Sequence, residues 1–151
     1  MSTALLDVNV LVALHDPTHP NHEDAHRWFG RNRKRGWATC PVTMNGCVRV
    51  LSNPAYPTVA ATSAEAAARL RVVCADPGHE FWSDSVPLLD ESLFRLQAIT
   101  GHRQITDIYL LGLAVKHGGR LATFDRSIPL KAVVGASTDR LELIGSEPAA
   151  L

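Results

Sequence analysis

The sequence predicts a single α/β domain spanning residues 1–151, with helices on both faces of a central, mostly parallel sheet in three layers. Two observations carry this. Short apolar runs (Thr3–Leu6, Gly36–Cys40, Arg120–Phe124) alternate with longer stretches of helical spacing, the pattern of strands buried on both faces by crossover helices. A chain of 151 residues that is 46% hydrophobic also suffices for one core but not for two.

Each element follows from its residues. Thr3–Leu6 is apolar, stops at Asp7 and reads as a buried strand. Val8–His15 gains helical spacing through Val8, Leu11, Val12 and His15, and the two prolines of residues 16–21 (DPTHPN) break it. A second helix presents Ala25, Trp28 and Phe29 and fails at Gly30 or shortly after. Gly36–Cys40 is the next strand. Val42–Leu51 is helical and ends at Ser52-Asn53-Pro54, because a residue before proline avoids the helical region. After the Ala55-Tyr56-Pro57 turn, Ser63 and Glu65 open an alanine-rich helix that runs to about Ala75 and stops at Asp76-Pro77-Gly78. Glu80–Ser83 is a strand and Asp90–Ile99 a helix. Asp107–His117 is a helix capped by Thr106 and ended by Gly118-Gly119. Arg120–Phe124 and Leu141–Ile144 are the last strands.

Fifteen Lys and Arg balance fifteen Asp and Glu, which excludes a histone-like basic binder and an acidic disordered tail. The charge is nonetheless segregated. Residues 25–64 hold six basic residues and no acid, and residues 72–94 hold five acids and no base. The N-terminus lacks the basic region of a signal peptide and carries Asp7 within its apolar stretch. No apolar run approaches the roughly 20 residues of a membrane span. Three cysteines with no C-x-x-C pair fit reduced thiols. A cytoplasmic protein without a membrane partner is expected.

Three acids point to chemistry. In a parallel α/β sheet, strand carboxyl ends and the amino ends of the following helices share one edge, where ligands bind. Asp7 ends the first strand, Asp125 follows the strand RLATF, and Asp107 lies in the first turn of a helix, so all three project toward that edge. Singly, each is an ordinary turn or helix-start residue. Together they form a cluster that shifts its pKa values or acquires a cation. Oxygen-only ligation suits Mg²⁺ or Mn²⁺ rather than zinc.

The blocks LLDVNVLVAL, PVTMNGCVRVLSNP, ITDIYLLGLA and LATFD, in this order over residues 4–125, resemble PIN-domain ribonucleases, and more closely the VapC toxins of bacterial VapBC modules. The resemblance implies a PIN-like fold and a Mg²⁺- or Mn²⁺-dependent endoribonuclease that leaves a 5′-phosphate and a 3′-hydroxyl. It also implies a homodimer neutralised by a cognate VapB-type antitoxin. Asp7, Asp107 and Asp125 match the first, third and fourth acids of the family's quartet and are the implied catalytic and metal-binding residues. The second acid falls at Met44, whose thioether cannot replace a carboxylate on a hard cation. Asn45 is adjacent but rotated by about 100° on a helix.

Around this core, Thr106 and Thr123 are candidates to hydrogen-bond the carboxylates. Asn9 either orients the site or is simply a helix-start residue. Arg31, Arg33, Lys34 and Arg35 either contact RNA phosphates or form a solvated helix end. His22 and His26 have metal-pair spacing but no third ligand, so packing is the better reading. Trp28, Phe29 and Trp37 read as core or dimer interface. Two other functions stay open: a phosphatase or phosphoacceptor with Asp7 as nucleophile, and an RNA- or antitoxin-binding module that Met44 has deprived of catalysis.

Overall fold

In the computed structural model, which describes residues 2–56 and 61–145, five short strands form one sheet. They are β1 (Ala4–Leu6), β2 (Trp37–Thr39), β3 (His79–Phe81), β4 (Arg120–Thr123) and β5 (Leu141–Leu143), in the order β3-β2-β1-β4-β5. All four pairings are parallel. Side chains alternate across the sheet with the two-residue period of a strand. Leu5, Ala38 and Leu121 enter one core, while Ala4, Leu6 and Ala122 enter the other. Helices α1 (Val8–His15), α2 (His22–Asn32), α3 (Pro41–Leu51) and α4 (Ser63–Cys74) cover the second face. Helix α5 (Ile105–Lys116) covers the first. The three layers follow.

The chain moves from β1 to β2 and β3 on one side, then crosses to β4 and β5 on the other. The point where the order reverses lies between the carboxyl ends of β1 and β4, where an open α/β sheet forms its ligand crevice. Asp7 and Asp125 follow these two strands.

Three expectations need correction, and the turn at residues 55–57 ends at Pro57, outside the described residues. Asp90–Ile99 is not a helix. Asp90 Oδ1 accepts from the Ser92 amide (2.9 Å) and hydroxyl (2.6 Å), a local turn that competes with helix. Phe94 then bridges antiparallel to Val133, with the Arg95 amide donating to Ala132 O at 2.8 Å, so only Leu96–Ala98 forms a 3-10 turn. Helix α5 begins at Ile105, which places Thr106 inside its first turn rather than at the cap. Gln104 holds the cap position, with its side chain engaged by the Thr100 amide (2.8 Å) and by Ser127 O (3.3 Å). The third strand lies at His79–Phe81, starting one residue earlier and ending two earlier than Glu80–Ser83.

His22 and His26 sit 2.7 and 2.9 Å from the carbonyl oxygens of Ala13 and Leu14. A carbonyl only accepts, so each ring donates and satisfies a carbonyl in the last turn of α1. Trp37 is fully buried and donates to Asp76 Oδ2 at 2.9 Å. The α1–α3 contact depends on Gly46, where a Cβ would stand 2.6 Å from Val8 Cγ2. Val8 is β-branched and stiff, and it adjoins Asp7. Gly46→Val is therefore expected to cost about 1–3 kcal/mol through overpacking, measured as a fall in urea midpoint with unchanged m. An unaltered midpoint would show that α3 does not need this close approach.

Candidate active site

Asp7 leaves β1 in an extended conformation (φ −63°, ψ 158°) and caps α1, its Oδ1 accepting from the Val8 amide at 2.7 Å. Asp7 is 5% exposed. Oδ2 accepts from the Thr123 hydroxyl at 2.7 Å. Thr123 is fully buried at the end of β4, and its Oγ1 also accepts from the Asp125 amide (3.0 Å) and from Asn9 Nδ2 (3.3 Å). One hydroxyl thus spends its single donor and both lone pairs tying β1, α1 and the β4 exit together. Ser127 fixes the other end of this loop, its amide and hydroxyl meeting Asp125 Oδ1 at 2.8 and 2.7 Å.

Asp107 comes from the opposite layer, in the first turn of α5. Its carboxyl interacts with those of Asp7 and Asp125. Burial, the Asp7 charge and the Asp125 contact push its pKa up to about 7. Asp7 is also raised, by burial first and by the Asp125 charge, against the pull of its Thr123 and Val8 hydrogen bonds. Asp125 moves the other way, because the Ser127 hydroxyl and amide and the Asp107 hydrogen bond favour its charged form. The three acids from distant chain segments are therefore one electrostatic unit.

Asp7 and Asp107 face an open cleft of about 680 Å³ that Asn9, Asn45 and Thr106 also line. Asn45 reaches it from α3, whereas Met44 lines the neighbouring groove between α3 and α4 and packs against the core. Three further lining residues, Arg49, His19 and Tyr56, were missed from sequence. For Arg49 a signal existed, since it stands four residues after Asn45 and shares its helical face. Ser127 was also missed, although Asp-x-Ser is a recognisable turn.

The basic cluster does not border this cleft. Arg31 lies in the last turn of α2, and Arg33, Lys34 and Arg35 form a 3-10 turn that feeds the amino end of β2, at the sheet edge opposite the carboxylates. Arg33 is already paired with Asp76 at 2.6 Å. Within the cleft lining, Arg49 is the only Lys or Arg among the described residues.

The donor set suits a hard divalent cation, since every candidate ligand is oxygen. Neighbouring carboxylates that raise one another's pKa favour holding a proton among them, and a cation can take the proton's place. Among the described residues no three acid, His or Cys side chains are already closed round a point. Two or three carboxylates completed by water match the way Mg²⁺ is commonly held.

A family model described as PIN domain matches residues 4–134. Ribonuclease VapC39 of Mycobacterium tuberculosis is 46% identical over 133 residues, covering 88% of this chain and 96% of that protein. Ribonuclease VapC44 of the same organism is 47% identical over 138 residues, covering 91% and 96%. Among solved structures, VapC20 of M. tuberculosis, a Sarcin-Ricin loop cleaving toxin, superposes with a TM-score of 0.60 at 12% identity, covering 83% of this chain and 92% of that one. VapBC2 from Rickettsia felis, bound to a DNA fragment from its promoter, gives 0.58 at 14%, covering 94% and 98%. These two likenesses concern the fold.

Proposed function

The chain belongs to the PIN-domain family, and we propose that it is a divalent-metal-dependent endoribonuclease, the toxin of a type II toxin–antitoxin pair. One observation carries this reading. Asp7 and Asp107 line one cleft at the crevice between β1 and β4, and Asp125 stands at the β4 exit, tied to Asp7 through Thr123. The names of the VapC relatives agree with it.

Asp7 and Asp107 would hold Mg²⁺ or Mn²⁺, with Asp125 beside them. A bound ion supplies Lewis-acid polarisation of the phosphoryl oxygen and an acidified water at neutral pH. The chain's own residues do the rest. Thr123 and Val8 hold the Asp7 oxygens in place, and Ser127 holds Asp125. Arg49 offers a cation to an RNA phosphate entering the cleft, and Asn9 and Asn45 offer neutral polar contacts. The partners on this reading are an RNA strand, a VapB-type antitoxin and a second copy of the chain.

The test is cleavage of total RNA by the purified protein. Activity with Mg²⁺ or Mn²⁺, lost in EDTA and restored by added Mn²⁺, is expected; no cleavage with either ion would overturn the proposal. Co-expressing the antitoxin should relieve growth arrest, and light scattering should give twice the chain mass.

Met44 favours one second reading, a module that binds RNA or antitoxin without cutting. If that holds, Met44→Glu gains a cleavage activity that the parent chain lacks.

A further inference from the structure

A second cavity, of about 320 Å³, opens beside the carboxylate cleft and shares Val42 and Thr106 with it. Leu88 and Ile105 extend its apolar wall, Tyr109 adds an aromatic ring and Asp84 a carboxylate. Ile105, Thr106 and Tyr109 share one face of α5, three and four residues apart, so this cavity and Asp107 are served by the same helical turn.

The ring of Tyr109 is half-buried and set in place. It lies within 15° of parallel to Phe94, with centroids 6.3 Å apart, and Phe94 itself is buried. The carboxylate of Asp84 lines the same cavity as this ring. Asp84 is exposed, and Asp84→Asn can therefore be made without disturbing a core.

A flat ring, an apolar wall and an acceptor-only group are what an unstacked nucleobase needs, the face for stacking and the edge for hydrogen bonds. An ionised carboxylate accepts and never donates. Guanine presents two adjacent donors, N1–H and N2–H, to its two oxygens. Cytosine and adenine offer one amino group, and uracil sets its N3–H between two carbonyls that repel the carboxylate. We infer that this cavity is a base-recognition subsite, seating a guanine that flanks the phosphate in the cleft, with Tyr109 against the base and Asp84 accepting from its edge. The inference rests on the RNA reading of the neighbouring cleft, and its test is arranged so that the two fail separately.

Binding is read first, without catalysis. Guanosine 5′-monophosphate titrated into the ¹⁵N-labelled protein should shift the amides of Leu88, Ile105 and Tyr109. It should bind at least about tenfold more tightly than uridine 5′-monophosphate, the discrimination of one good paired contact. Asp84→Asn should erase that preference. Tyr109→Leu, which keeps an apolar side chain beside Phe94, should weaken both nucleotides while the protein still melts cooperatively. Equal affinities, shifts confined elsewhere, or a preference that survives Asp84→Asn would overturn the subsite.

Cleavage of four short RNAs differing at one base forms the second arm. Even cutting of all four, unchanged in Asp84→Asn, sinks the subsite and leaves the nuclease reading standing. A guanosine preference in a protein that cuts no RNA supports the subsite and sinks the nuclease reading.

Discussion

Asp107→Asn is expected to lower RNA cleavage by at least about 10³-fold, the scale of removing a central charge-stabilising group, and to make the metal-free protein more stable at pH 8. The two effects have one cause. Asp107 carries a folded-state pKa pushed up to about 7 by burial, by Asp7 and by Asp125, against 3.8 in its ordinary state. An acid whose pKa rises on folding costs nothing below about pH 4. Its penalty builds as pH climbs from about 4 to 7 and is complete above that. A dry site would make that penalty roughly 4 kcal/mol, and the open, half-exposed cleft screens it to about 1–2 kcal/mol. Asparagine removes the charge and keeps the size and polarity of the side chain, so the fold is kept. Thermal melts at pH 5 and pH 8, with and without Mg²⁺, check this. Without metal the variant's margin over the parent should be clearly larger at pH 8 than at pH 5, while the parent alone should gain from added Mg²⁺. Retained cleavage in Asp107→Asn would remove Asp107 from the chemistry.

The carboxylate cluster was legible because it depends on local facts. An acid directly after a buried strand sits at that strand's carboxyl end whatever the rest of the fold does, and parallel pairing brings such ends together. Asp7 and Asp125 needed nothing more, and Asp107 needed only a helix start. The same rule was available for the basic cluster. Arg33, Lys34 and Arg35 precede a predicted strand, which assigns them to the opposite edge, although RNA contact and a solvated helix end both stayed open from sequence. The segment at Asp90–Ile99 was not legible. Its helical spacing is real, but Phe94 and its neighbours pair with residues near Val133, a partner some forty positions away that no local window contains. Asn45 shows a third limit. Which of two adjacent helix residues enters a cleft depends on how deeply Gly46 lets α3 settle against Val8, which only the packed structure reveals.

Thr123→Val tests how the cluster is held rather than what it does. Valine matches threonine in shape, so the change removes a hydroxyl and little else. That hydroxyl donates to Asp7 Oδ2 at 2.7 Å and accepts from the Asp125 amide at 3.0 Å, at a position with no solvent access. Water cannot easily replace either bond. A charged acceptor losing its donor, with an amide left unpaired, is expected to cost about 2–4 kcal/mol, or about 5–15 °C in Tm for a chain of this length. The loss should depend on pH. The Thr123 hydrogen bond favours the charged form of Asp7, whose pKa burial already raises, so removing it drives that pKa higher still. The variant's deficit should be smallest in acid, where Asp7 is protonated in both proteins and only the unpaired Asp125 amide remains, and should grow as the pH rises through the parent's raised Asp7 pKa. Thr123→Ser keeps both hydrogen bonds and sheds one methyl, at about 1 kcal/mol with no such pH dependence. If valine and serine melt alike across that range, Asp7 is held by its Val8 cap alone. A pH-dependent gap between them instead makes one buried hydroxyl the joint that aligns the β1 and β4 exits, and with them two of the three acids on which cleavage would depend.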